Sequence, residues 1–314
     1  MLITAQEHPF VTLLFYTDCF MLTALYTNKK DGIYVLNFFK TPQVIQASTA
    51  DSIFESFHWI IDNFDASTFI HHTPLILPNS TFFPDKATNE SDMAHALCRR
   101  ILEHSGLSHW PFKVVPQHQF QATPPPFLAL DCSSRPYALA AETAKEMAVS
   151  NSEPLLLSYS SAMMKKPMDL VASMSNLIAQ HYLLQSQKIP PAGQESFNET
   201  AEIISIFMGF GVLVANTAYT FRGSCARCYD PRANRSAALS EHEAVFALAL
   251  FTLLKDIPAS RASGALKPYL RSTFKKAIKQ IKANETAYGA LQQKLAHYGQ
   301  KTLASPQEQP LHPS

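Results

Sequence analysis

Glycine is scarce in this chain. Nine glycines stand among 314 residues, against 21 prolines, which is under half the usual glycine share of about 7%. The shortage argues against glycine-rich phosphate loops, collagen-like repeats, flexible linkers and β-rich folds that depend on many tight turns. Net charge is lacking too. With 26 Lys and Arg against 25 Asp and Glu, no basic field supports binding to nucleic acid or to an anionic membrane. The five cysteines, Cys19, Cys98, Cys132, Cys225 and Cys228, are an odd count in a mid-sized chain and imply no disulfide framework. The N-terminal MLITAQEHPFVTLL has no positive leader and no cleavage site behind a continuous apolar stretch, so no secretory signal is expected. A reduced, cytoplasmic protein is the simplest expectation.

What the chain does have is apolar mass. Hydrophobic residues make up 46% of it, enough for a sizeable core in one large domain or two modest ones. One stretch, Ile203–Phe221, runs 19 residues without a charge, the length of a membrane span. Arg222, Arg227, Arg232 and Arg235 follow it like a cytoplasmic basic flank. Ser205, Asn216, Thr217 and Thr220 dilute it, and a helix apolar all round also fills the centre of a large soluble domain. The buried-core reading is preferred, with membrane attachment as the minor alternative.

Hydrophobic periodicity divides the rest. Residues 10–40 hold three short β-prone runs and read as a small meander. Asp51–Phe64 has helical spacing, with Asp51 or Ser52 as its cap. A second amphipathic helix begins at Ser91 and closes near Gly106. Trp110–Val115 and Leu155–Tyr159 read as strands, and Pro136–Val149 as a helix. Further helical patterns cover Met168–Gln187, Glu195–Phe221, Ser240–Lys255 and Leu266–His297. Ser240 with Glu243 has the form of a capping box. The lysines 275, 276, 279 and 282 form the solvated face of the last of these helices. These patterns predict an α+β protein: a small strand-rich lobe over residues 1–85, a mainly helical domain over 86–301, and a disordered tail over 302–314.

One constellation of polar residues stands out. Asn176 and Gln180 are i,i+4 on one helix, so their amides share a face, and Glu199 and Glu202 share a face of the next helix. Two helices joined through Pro190, Pro191 and Gly193 would bring the four groups together. The surrounding motifs, PMDLVASMSNLIAQHYLL (167–184), NETAEIISIFMGFGVLVANTAYTF (198–221) and AALSEHEAVFALALFTLLK (237–255), with GLSHWPFKVVPQ (106–117) upstream, resemble a zincin-type family of mostly uncharacterised bacterial proteins. The similarity covers roughly residues 90–280. In that family the first motif carries HExxH, whose two imidazoles bind zinc while the Glu acts as general base. Here Asn176-Leu177-Ile178-Ala179-Gln180 stands in its place.

Asn and Gln are poor zinc ligands and Leu177 takes no proton, while His181 lies roughly 100° further round the helix. Glu199 is retained where a third ligand is expected, and Glu202 stands where the family has Asp. The resemblance therefore implies a zincin-like scaffold with vestigial metal positions at Asn176, Leu177, Gln180, Glu199 and Glu202. It would be a pseudoenzyme that binds a protein partner and needs no cofactor. The alternative is a metal-dependent hydrolase with a non-standard zinc site using Glu199, Glu202 and His181. The lone C-x-x-C of Cys225 and Cys228 is a weaker metal candidate, lacking a second ligand pair. Gly209 and Gly211, inside the apolar helix, are expected to let a neighbouring helix approach closely behind the vestigial site.

Overall fold

A computed structural model describes residues 43–121, 123–128, 135, 153–218 and 235–304, and the backbone of strands at 11–13, 23–28 and 32–37. The chain divides into two compact units, Met1–Pro42 and Gln43–Ser314. In the first, β1 (Val11–Leu13), β2 (Thr23–Asn28) and β3 (Gly32–Asn37) form the expected antiparallel meander. Its register runs from Val11 opposite Tyr26 to Asn28 opposite Gly32.

The second unit is mainly helical. It contains α1 (Ala47–Asn63), α2 (Ala66–His71), α3 (Glu90–Ser105), β4 (Phe112–Pro116), β5 (Leu155–Tyr159) and α4 (Pro167–Gln185). There follow α5 (Phe197–Ser205), a π-turn (Ile206–Phe210), α6 (Gly211–Thr217), α7 (Glu241–Leu254), α8 (Ala259–Ala265), α9 (Leu270–Ala283) and α10 (Glu285–Ala304). Strands β4 and β5 pair in parallel, Phe112 opposite Leu155 and Pro116 opposite Tyr159. The protein is thus a mixed α+β chain.

The boundary expected near residue 85 cuts through this second unit. The apolar stripe of α1 needs a partner, and Phe54 finds it edge-on against Phe246 of α7, at 5.9 Å. Phe69 of α2 stacks flat on Phe207 at 4.2 Å and meets Phe251 edge-on. All of these rings are buried, so α1 and α2 belong to the core of the helical unit.

Local chemistry explains several helix ends. Ser240 and Glu243 form the expected capping box at α7, each accepting from the other's backbone N–H. Gly106 closes α3 in the left-handed conformation, at φ 70°. The cap at the start of α3 is Asn89, which accepts from Asp92 N at 2.8 Å, rather than Ser91. The first helix begins at Ala47, a turn earlier than the Asp51 cap predicts. The long helix expected over Leu266–His297 is broken instead at Asn284, whose side chain accepts from Ala287 N at 3.2 Å and starts α10. Of the expected tail, Thr302–Ala304 belong to the end of α10. The rest of it, and the helix expected at Pro136–Val149, lie outside the described residues.

The apolar helix expected over Glu195–Phe221 is interrupted. At Gly209 the backbone takes φ 101°, a conformation glycine adopts without steric cost. The Gly209 carbonyl accepts from Ile76 N at 3.0 Å. A side chain there would collide with Pro74, because a Cβ would lie 2.2 Å from its carbonyl oxygen. At Gly211 a Cβ would lie 2.8 Å from Leu248 Cδ1 of α7. Close helix approach therefore holds at Gly211, while at Gly209 the close neighbour is the chain segment after α2. Within Gln194–Thr217 an 18-residue window has the length and apolar character of a membrane span, with a mean hydropathy of 1.5, yet that window is entirely buried within the protein. That is the packing of a core helix.

Candidate functional site

Between α4, β5 and the start of α5 lies a cleft of about 530 Å³. The 3.6-residue period turns Ser173, Asn176, Leu177 and Gln180 of α4 toward it. Ser158, Tyr159 and Ser160 form the β5 side, Asn198 and Glu199 come from the first turn of α5, and residues 235–238 close it. Four of the five positions picked out as vestigial, Asn176, Leu177, Gln180 and Glu199, therefore line one cleft. The lining carries amides and hydroxyls beside Met163, Met174 and Leu170, and among the described residues two charged side chains, Glu199 and Arg235.

The two charges differ in kind. Arg235 is buried and paired with Glu202, itself fully buried. Arg235 Nε donates to Thr217 Oγ1 at 3.1 Å, while Nη1 has no partner among the described residues. Glu199 is exposed and forms no ion pair among the described residues. Asn176 is only 8% exposed, and its Oδ1 is buried without a hydrogen-bond partner.

Glu202 does not belong to the cleft lining. Besides Arg235, it accepts from Ala238 N at 2.6 Å and Leu239 N at 3.0 Å. A carboxylate so used is a structural tie: it joins α5 to the segment that leads into α7, and through Arg235 to Thr217 at the end of α6. Charges removed from water this completely persist only when paired and hydrogen-bonded. The sequence carried a signal for it. An acid inside the run Thr200–Phe210, where every residue is buried, demands a buried cation. Arg235, expected only as part of a basic flank, is that cation.

His181 faces away from the cleft, as its angular offset on α4 predicts. Its Nε2 is 3.2 Å from the Leu156 carbonyl oxygen on β5, and its ring meets Phe112 edge-on at 5.6 Å. Burial pushes its pKa below the usual imidazole value, against the smaller opposing effect of the Leu156 hydrogen bond. Cys225 and Cys228 lie outside the described residues. Cys98 is a buried free thiol whose pKa burial pushes up to about 12, an inert side chain by the rule that reactivity follows the thiolate.

The donor set of the described residues does not fit the zinc that the HExxH family carries. A catalytic zinc site takes three protein ligands drawn from imidazole, thiolate and carboxylate. At the positions matched to HExxH and the third ligand, the cleft offers two amides, a leucine and one exposed carboxylate. Among the described residues no group of three or more His, Cys, Asp or Glu side chains comes together to hold a metal. Glu199, Glu202 and His181 are spent in three different places: on the cleft wall, in a buried ion pair and under β5.

A second concentration of charge, missed in the sequence, lies in the core. The Arg135 guanidinium is fully buried, sits 5.3 Å from the Phe207 ring centroid, and has no hydrogen-bond partner among the described residues. Lys255 Nζ lies 5.2 Å from the Phe69 ring centroid and donates to the carbonyls of Phe69 and Ile70. These are carbonyls at the end of α2, where a cation complements the helix dipole. Burial, and then repulsion from Arg135, lowers the Lys255 pKa to about 8. Comparisons with protein families, with curated proteins and with solved structures return no match to this chain.

Proposed function

We propose that this chain is a non-catalytic binding module with a zincin-like helical unit, acting as a scaffold or interaction partner for another protein in the bacterial cytoplasm. The observation that carries the reading is the cleft. The positions at which the resemblance places two imidazoles and a general base are occupied by Asn176, Gln180 and Leu177, and all three line the cavity. None of them moves a proton or activates water at neutral pH. The cleft keeps the size of a ligand site while two neutral amides and a leucine stand where the family has its reactive groups. Binding without turnover is the chemistry such a lining supports.

A metal-dependent hydrolase would need Glu199, Glu202 and His181 in one coordination sphere. Glu202 is instead saturated by Arg235 and two backbone N–H groups, and His181 turns its Nε2 to the Leu156 carbonyl of β5, away from the cleft. The test is metal analysis of the purified full chain, beside a Glu199→Ala, His181→Ala variant. The proposal predicts the same negligible zinc content in both. Stoichiometric zinc that a chelator strips from the wild type and that the variant lacks would overturn it.

A further inference from the structure

Resting on that reading, we infer that the cleft recognises a lysine side chain on an extended segment of the protein partner, the ammonium seated where the resemblance places a metal cation. Three observations converge on a cation of that kind. The first is charge. Of the two charged groups among the described residues of the lining, Arg235 is paired with Glu202, and Glu199 has no ion-pair partner among the described residues. An unpaired carboxylate over a lining of neutral dipoles favours a positive ligand and steers its approach.

The second is the buried acceptor. Asn176 is more than nine-tenths buried in the cleft wall, and its Oδ1 makes no hydrogen bond. An acceptor left without a donor in the interior costs free energy until a ligand supplies one. With the amide oxygens of Gln117, Gln180 and Asn198, the hydroxyls of the lining and the Glu199 carboxylate, the cleft is rich in acceptors. An ammonium has three donors and no acceptor, so its needs match this set. A guanidinium is a planar fork of five donors suited to bidentate pairing with a carboxylate, whereas the acceptors of the described lining are mostly single amide and hydroxyl oxygens.

The third is room for the rest of the segment. Leu155 N donates to Pro111 O on the β4 side. Alternation along the strand then turns the Leu156 and Ser158 backbone groups to the opposite edge. His181 covers the Leu156 carbonyl there, while Ser158 lines the cleft. Met163, Met174 and Leu177 offer adaptable apolar surface for a lysine's methylene stem.

The experiment uses the full chain and three fluorescein-labelled decapeptide libraries, randomised except for a central lysine, acetyl-lysine or norleucine, with binding read by fluorescence polarisation. The lysine library is expected to bind at least about tenfold tighter than either of the others, as a charge-assisted hydrogen bond implies. Glu199→Gln should erase that preference. Asn176→Leu should weaken lysine binding while leaving the melting temperature unchanged or higher. Since Glu199 is exposed, its variant tests recognition without testing folding. Equal affinity for the three libraries, absence of binding to all of them, or a lysine preference that survives Glu199→Gln would each overturn the inference. Zinc analysis of the same preparation separates the two levels. Stoichiometric, chelator-sensitive zinc overturns the non-catalytic reading itself, whereas zinc-free protein without lysine preference overturns only the choice of ligand.

Discussion

Replacing Gly209 with alanine should be among the most damaging single-methyl changes available to this protein. Its φ of 101° is a backbone conformation that costs a residue with a Cβ roughly 1–2 kcal/mol. The new methyl would sit 2.2 Å from the Pro74 carbonyl oxygen, and that neighbour is backbone, which does not rotate aside. Overpacking of this kind costs about 1–3 kcal/mol. Loss of the Ile76 N–H to Gly209 hydrogen bond adds about 1 kcal/mol. The sum is about 3–6 kcal/mol, a large part of the 5–15 kcal/mol of a typical domain. The damage should also reach the cleft, because the turn at Gly209 lets Glu202 on α5 and Thr217 on α6 meet the same Arg235.

Two alanine variants serve as internal standards. At Gly211 the nearest atom is the far end of the Leu248 side chain, so a small shift should limit the net cost to about 1 kcal/mol. At Gly264, in α8, nothing lies within 4 Å of the added methyl, and about 0.5–1 kcal/mol of stabilisation is expected. Urea denaturation followed by far-UV circular dichroism gives all three on one scale. Gly209→Ala within 1 kcal/mol of wild type, or less harmful than Gly211→Ala, would show that neither the backbone conformation nor the Pro74 contact constrains this position.

Further outcomes follow from the buried charges. Glu202→Ala should destabilise by about 3–5 kcal/mol, since it strands Arg235 as an uncompensated buried cation. The Glu202→Met, Arg235→Met double variant should recover a large part of that loss in the same urea assay. Between pH 8 and 9 stability should rise with pH. Folded Lys255, with its pKa lowered to about 8, releases a proton that the unfolded chain still holds. The full shift corresponds to about 3 kcal/mol at most, reduced by solvent screening at this half-buried site, and Lys255→Met should flatten the slope. Above pH 9 Cys98 acts in the opposite sense, staying protonated up to about 12 when folded while the unfolded thiol ionises; Cys98→Ala should extend the rising limb. Below about pH 6.5 stability should fall as pH falls, because burial depresses His109 and His181 and the unfolded chain takes up those protons first.

Local patterns made much of the fold legible. Strand β5 matches the expected Leu155–Tyr159, because an apolar run of that length between polar residues has few other readings, and the Ser240–Glu243 box fixes the start of α7. What sequence reasoning missed was set by partners distant in the chain. The break at Gly209 answers to Pro74 and Ile76, and the placement of α1 and α2 answers to Phe207, Phe246 and Phe251. In the site, the i,i+4 spacing of Asn176 and Gln180 was enough to place both on one cleft wall with Glu199. The i,i+3 spacing of Glu199 and Glu202 misled, because one turn of α5 carries its residues from the cleft into the core. Full burial gives Glu202 its role, and the need for a buried counter-charge, rather than helical phase, was the signal to follow.

We propose that the cleft binds its ligand without metal chemistry. Zinc content of the full chain, measured by inductively coupled plasma mass spectrometry after purification with zinc present and exhaustive dialysis, tests it most directly. The claim predicts far less than one zinc per chain, unchanged by Glu199→Ala. About one zinc per chain, removed by a chelator and abolished by Glu199→Ala, would contradict it.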